Sequence, residues 1–287
     1  MTIEDFAAAI ATANNKDWTQ FKRWYFQAGT PQELVNEKYD ANEKKYTLTL
    51  KQSCELSSQE KIEKVTKLDF HIPLVFGLLD SVTKKELALT EKNNTDFEVN
   101  SEGQLLLNLT KAEQTFVFTD IKNPPVLSIN RQFSAPIHLK KSGSVADDLF
   151  LMGYDTDSFN RWESAQNAFV HFFKKQMQFL ATQNSSQKVT QGGSKDSAFE
   201  LMKSSEFNLY LNSLAAILES NQLDPFIKAH LMHTPSFAYL LQQVGELHPV
   251  NFLQAKNDLE SQIATHLENQ LLKIYQDLSK VIQNDYS

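Results

Sequence analysis

Phe21-Lys-Arg-Trp-Tyr-Phe-Gln-Ala-Gly-Thr-Pro31 reads as a helix reaching its stop and giving way to another kind of structure. Trp18, Phe21, Trp24 and Tyr25 recur at spacings of three and four, which puts one apolar stripe on a helix, with Lys22 and Arg23 beside it. Asp17 stands where an N-cap is wanted. Gly29 can take the left-handed conformation that ends a helix, and Pro31 cannot continue one. An earlier short helix is signalled by Thr2 with Asp5 three residues on, then Phe6 to Ile10, and is ended by Asn14 and Asn15. The pattern predicts helices over 4–13 and 17–28.

From Leu34 the period falls to that of strands. Tyr46-Thr-Leu-Thr-Leu50 alternates, Phe70-His-Ile-Pro-Leu-Val-Phe76 is a short apolar run, and Leu105–Leu109, Thr115–Phe118 and Ile129–Phe133 follow. Lys92–Asp96 and Lys122–Pro125 are turn-forming separators. Six or seven short strands over about a hundred residues is the pattern of a β-sandwich. Pro73 implies an edge strand or a bulge at its position. After Pro136 the strand signal stops. Ser158 is placed to cap a helix bearing Phe159, Trp162, Phe169, Phe173 and Leu180, while Ser53–Thr66 and Asn184–Ser197 read as loops, the latter mobile. Helices are predicted over about 198–220, 224–233, 235–244 and 249–280, the last in two pieces, with Asp224-Pro225 and Thr234-Pro235 as starts. The fold class is α+β multidomain: short helices, an all-β Ig-like sandwich, then an all-α superhelix-like array. The expected divisions are 1–33, 34–139 and 140–287.

At 287 residues the chain exceeds what one core usually serves. A net charge of -7 supplies no basic face for phosphate backbones, so a nucleic-acid partner is not expected. One cysteine, Cys54, cannot close an internal disulfide, which fits a reducing cytoplasm. The start Met-Thr-Ile-Glu-Asp has no export signal, and no apolar run is long enough to span a bilayer, so no membrane partner is expected. The sequons at Asn93 and Asn108 then mean little.

Chemistry-bearing patterns are sparse. None of His71, His138, His171, His230, His233, His248 or His266 begins a His-Glu-x-x-His helix motif. His230-Leu-Met-His233 comes nearest, but it lacks the glutamate and a third ligand, so a structural or solvent-facing role is favoured. Gln191-Gly-Gly193 lacks the lysine of a phosphate loop, and Cys54 with His71 has no spacing that implies a dyad. Asp147-Asp148 and Asp155/Asp157 precede the Phe159 helix and suit capping rather than acid–base work. Trp24, Trp162 and Phe169 are read as core or interdomain packing. No catalytic, substrate-binding or metal residue is assigned.

The opening string resembles the segment that closes the catalytic domain in the M1 family of zinc metallo-aminopeptidases, in its bacterial aminopeptidase N branch. Tyr46–Leu50, His71-Ile-Pro73, Ala112–Phe118 and Phe133-Ser-Ala-Pro136 are similar to that branch's β-sandwich. Phe159–Trp162 with Ala165-Gln166, Leu223-Asp-Pro225, Pro235-Ser236 and Leu271–Tyr275 are similar to the start of its helical domain. The resemblance implies that residues 1–33 are the last helices of a catalytic domain, and that the zinc site lies upstream of Met1. It implies a parent that hydrolyses peptides at their N-terminus with zinc as cofactor, and this chain as spacer and lid scaffold, partnered by the parent's catalytic domain and inactive alone. The family's Gly-x-Met-Glu-Asn segment has no counterpart here, so no catalytic residue carries over. If the first helices belong against that domain, their stripe of Trp18, Phe21, Trp24 and Tyr25 is partly orphaned. The alternative is a stand-alone, non-catalytic protein-interaction module.

Overall fold

The computed structural model describes residues 2–90, 93, 96–141, 143–186, 204–221, 223–245 and 248–285, with backbone alone at 183–186 and 280–285. It divides into two units, Met1–Gly143 and Ser144–Ser287.

The first unit begins with α1 (Ile3–Ala13), started by a reciprocal capping box between Thr2 and Asp5. The continuous helix expected over 17–28 does not form. Asp17 instead accepts from the Thr19 backbone N–H at 2.8 Å, closing a tight turn. The bonds that follow mostly span three residues, such as Trp24 N–H to Phe21 O at 3.1 Å, and only Arg23–Phe26 is helical (α2). Gly29 then takes a φ of +88°. A side chain there would be strained, and its Cβ would lie 3.2 Å from Cys54 Sγ.

Two four-stranded sheets follow among the described residues, in the orders β6-β2-β1-β8 and β4-β5-β3-β7. The strands are β1 (Gln32–Asp40), β2 (Lys45–Ser53), β3 (Ile72–Asp80), β4 (Glu98–Val99), β5 (Leu105–Leu109), β6 (Glu113–Phe118), β7 (Pro125–Ile129) and β8 (His138–Lys141). Period-two burial drives the packing: Tyr46, Leu48, Leu50 and Gln52 of β2 point inward while Thr47, Thr49 and Lys51 are left more exposed. Leu48, Leu50, Leu74, Leu107 and Phe116 are fully buried in the shared core. Each such side chain contributes about 1.5–3 kcal/mol.

The structure departs from the sequence reading at several places in this unit. Ile129–Phe133 is not a strand: β7 ends at Ile129, and Asn130, Gln132 and Phe133 take positive φ values of 60°, 56° and 54°. The strands continue past Pro136, where the sequence signal stops: β8 pairs in parallel with β1, from Gln32↔His138 to Val35↔Lys141. Pro73 lies in β3, which is internal to its sheet rather than an edge. The Val75 N–H points to the β7 side, bonding Ser134 Oγ at 3.0 Å, so the missing N–H of Pro73 faces the same way, where β7 pairing has not begun. The stretch Ser53–Thr66 contains a helix, α3 (Ser58–Glu63), with its own Ser57/Glu60 capping box.

The second unit is helical: α4 (Val145–Tyr154), α5 (Ser158–Ser186), α6 (Ser205–Glu219), α7 (Pro225–Met232), α8 (Phe237–Gln243) and α9 (Pro249–Asp285). The cap of α5 is Asp157 and not Ser158, for Asp157 Oδ1 accepts from the Asn160 N–H at 2.8 Å. Asp224 caps α7, with Pro225 in the first turn. The loop read at 184–197 and the start of the helix read at 198–220 fall almost wholly outside the described residues. The final helix is one piece rather than two, since neither glycine nor proline interrupts Val250–Asp285. Phe169, Phe172, Phe173, Phe207, Leu214 and Phe252 form the fully or almost fully buried centre of the helical unit, with Phe173 and Phe252 rings 5.0 Å apart.

Candidate functional site

Residues 20–28 form a strap laid along the segment that leads into β3. That segment, Lys67–His71, precedes the strand and carries backbone groups that need partners. The strap supplies several of them. Gln20 Nε2 donates to Thr110 O at 2.6 Å and to Asp69 O at 3.2 Å, and Arg23 Nη1 also donates to Asp69 O. Trp24 Nε1 donates to His71 O at 2.8 Å, and its ring lies 4.7 Å from that of Phe70. Gln27 closes a reciprocal pair with Leu68, donating to its carbonyl at 2.9 Å and accepting from its N–H at 2.6 Å. Lys67 answers from the other side, with Nζ bonded to Ala28 O at 2.6 Å and Glu55 O at 2.8 Å and paired with Glu60 at 3.1 Å.

The aromatic stripe is therefore divided. Trp18, Phe21 and Trp24 are half-buried within the unit, whereas Tyr25 and Phe26 are exposed, at 45% and 67%. Ile3 and Phe6 of α1 are exposed as well. Such an arrangement grips the sandwich with one side and presents apolar groups on the other.

The residues weighed for chemistry are scattered. His71 Nε2 lies 2.8 Å from Asn108 Oδ1, while the Cys54 thiol lies 3.5 Å from both Ala28 O and Lys67 Nζ, so the two share no partner among these contacts. His230 stacks edge-on against Phe226 at 4.3 Å. His233 ends α7, and its carbonyl accepts from Gln166 Nε2 at 2.7 Å. His138 is exposed on β8. His171 has a buried Nε2 that meets no hydrogen-bond partner among the described residues, and burial, reinforced by Lys175, holds its pKa below the usual histidine value. Asp147 belongs to the α4 capping box with Ser144. Asp155 is buried and accepts from the Asp157 N–H at 3.0 Å. Trp162 is 37% exposed, and Phe169 is core.

A zinc ion needs three or four converging ligands. Among the described residues, no group of three or more His, Cys, Asp or Glu side chains converges in that way, so these residues do not fit one. No described helix is long and apolar enough to cross a membrane. Of the buried charged groups that the sequence reading does not single out, Glu33 is the most completely buried. Glu33, on the inward face of β1, is fully buried and pushed up to about 8 by loss of hydration. Its only sequence signal is a period-two relation to the buried Val35.

Comparison with known proteins agrees with this layout. Residues 29–142 match a domain family described as of unknown function with an Ig-like fold (DUF3458), and residues 145–287 match its companion described as ARM repeats (DUF3458_C). Aminopeptidase N of Escherichia coli K12 is 29% identical over 274 residues, covering 96% of this chain and 28% of that protein. Aminopeptidase N of Haemophilus influenzae is 27% identical, covering 99% and 29%, and that of Caulobacter vibrioides 30% identical, covering 96% and 28%. The chain thus spans less than a third of the length of the curated relatives it matches. Among solved structures, aminopeptidase A of Legionella pneumophila in complex with aspartic acid superimposes with a TM-score of 0.68 at 23% identity, over 95% of this chain and 26% of that one, a likeness of fold. With an Ig-like sandwich and an ARM-like helical unit matched in order along nearly its whole length, the chain belongs to the aminopeptidase N-like family.

Proposed function

We propose that this chain serves as spacer and lid scaffold within an aminopeptidase N-like protein, whose full length removes N-terminal amino acids from peptides by zinc-assisted hydrolysis. The observation that carries the reading is coverage: relatives named aminopeptidase N match 96–99% of this chain, yet the match takes up only 28–29% of their own length. The zinc, its ligands and the glutamate base then belong to the remaining part of the parent. The residues of this chain position that part and restrict access to it, so that short peptides enter and folded proteins do not. The exposed aromatics of α1 and the strap, Phe6, Tyr25 and Phe26, are the surface offered to the catalytic domain. The cytoplasm is the compartment this reading assigns.

The gene tests it. In-frame codons upstream of Met1 encoding His-Glu-x-x-His are expected. A stop codon with its own ribosome site immediately before Met1 would overturn the reading in favour of an independent interaction module.

A further inference from the structure

Among the described acids of the sandwich, Glu33 is the most completely buried. Its side chain shares the inward face of β1 with Val35, and both residues are almost wholly excluded from solvent, at 0% and 1%. Neither carboxyl oxygen meets a hydrogen-bond partner among the described residues. Its cross-strand neighbours are Gln52 of β2 and Leu139 of β8. Gln52 has no donor to spare for a carboxylate: its Nε2 donates to Phe70 O at 2.9 Å and Lys111 O at 3.0 Å, while its Oε1 accepts from the Phe70 N–H at 2.7 Å.

Charged groups on the surrounding elements are engaged or distant in register. On β1, Glu37 is bonded to Tyr46 Oη at 2.7 Å. On β2, Lys51 lies 3.6 Å from Glu113 of β6. On β8, His138 and Lys140 are exposed neighbours of Leu139, and Lys141 Nζ reaches Leu127 O at 3.4 Å. Across the sandwich, β3, β5 and β7 carry only Asp80, which accepts from the Val82 and Thr83 N–H groups at 2.8 Å. Among the described residues no neighbouring cation offsets the cost of burying a carboxylate, so the neutral acid is the form that this site accepts.

The fold has a weak place next to it. β1 is paired with β2 along its whole length, but with β8 only from Gln32 to Val35. β8 is the sheet's edge, bonded on one side, and from it the chain leaves the sandwich. We propose that Glu33 is a protonation latch beneath the β1–β8 seam: the seam stays closed while the acid is neutral, and it opens to admit water when the acid ionises. The coupling has a definite sign. The folded state keeps a proton that the unfolded chain loses near the ordinary value of 4.5, so the stabilisation is full below that value, declines as pH rises from it, and is gone once pH passes about 8.

Amide hydrogen exchange of the whole chain, corrected for intrinsic rates and followed from about pH 5 to about pH 9, tests the latch against Glu33→Gln, which cannot ionise. In the wild type, protection of the β8 amides is expected to fall from about pH 5 to about pH 8, by at most about tenfold per pH unit for one proton, and to level off above that. In Glu33→Gln it should stay flat. Infrared spectra provide a second readout on the wild type alone: a protonated carboxyl stretch present at neutral pH and lost as pH rises through about 8, where the fall in β8 protection levels off. Protection independent of pH in the wild type, pH dependence that persists in Glu33→Gln, or a wild-type spectrum without that band would each overturn the proposal.

Discussion

Trp24 Nε1 donates to the carbonyl oxygen of His71 at 2.8 Å, joining the strap before β1 to the residue before β3. The same indole packs at a tilt against Phe70, so one side chain supplies both an apolar contact and a hydrogen bond to a backbone group just outside β3. Trp24→Phe retains most of the ring contact and removes the donor. We expect it to cost about 1 kcal/mol, read as a lower urea midpoint with an unchanged slope.

Among the described glycines, Gly77 has the closest neighbours. A Cβ there would sit 2.4 Å from the guanidinium of Arg131, whose Nε donates to Ser128 Oγ at 2.8 Å and whose Nη1 donates to Glu86 Oε1 at 2.6 Å. Gly77→Ala must displace that held side chain. A loss of about 1–3 kcal/mol is expected, the range for overpacking, in equilibrium unfolding of the first unit's signal.

Capping separates two adjacent residues at the start of α5. Asp157→Ala should lower stability by about 1 kcal/mol through loss of the bond to the Asn160 N–H, while Ser158→Ala should change it by less than about 0.5 kcal/mol. Paired thermal melts of the two variants compare them directly, and equal effects would place the cap elsewhere.

His171 gives the helical unit a pH dependence opposite to that of Glu33. Its folded pKa is lowered, chiefly by burial, so the unfolded chain binds the proton more readily. Stability is therefore present above the ordinary histidine value of 6.5 and is lost as pH falls through the lower folded value. Denaturant titrations should show the wild type weakening on acidification below about pH 6.5, and His171→Gln should weaken less.

Much of this organisation is visible in the residues, and the exceptions have physical reasons. Leu105–Leu109 and Tyr46–Leu50 announce themselves because one face of each is core. β8 does not, because a short edge strand paired on one side needs no apolar alternation, and His138-Leu-Lys-Lys141 shows none. The residues Ile129–Phe133 mislead because strand-forming side chains sit on left-handed backbone held from within: Asn130 Oδ1 accepts from the Ala135 N–H at 2.8 Å. α3 had a legible signal in Ser57 and Glu60, hidden in a stretch otherwise read as loop. At the strap, spacing identified the right aromatic residues but not their division, since a periodic stripe does not say which members grip the neighbouring strand segment and which are exposed. Glu33 was out of reach, because an acid beside a buried valine reads as a surface residue until the register of β1 is known.

The account rests on this chain being scaffold and not catalyst. Incubating the purified protein with zinc and an alanine or arginine anilide tests that directly. Turnover no greater than the uncatalysed blank is expected, with and without chelator. Appreciable turnover that a chelator abolishes would contradict the account.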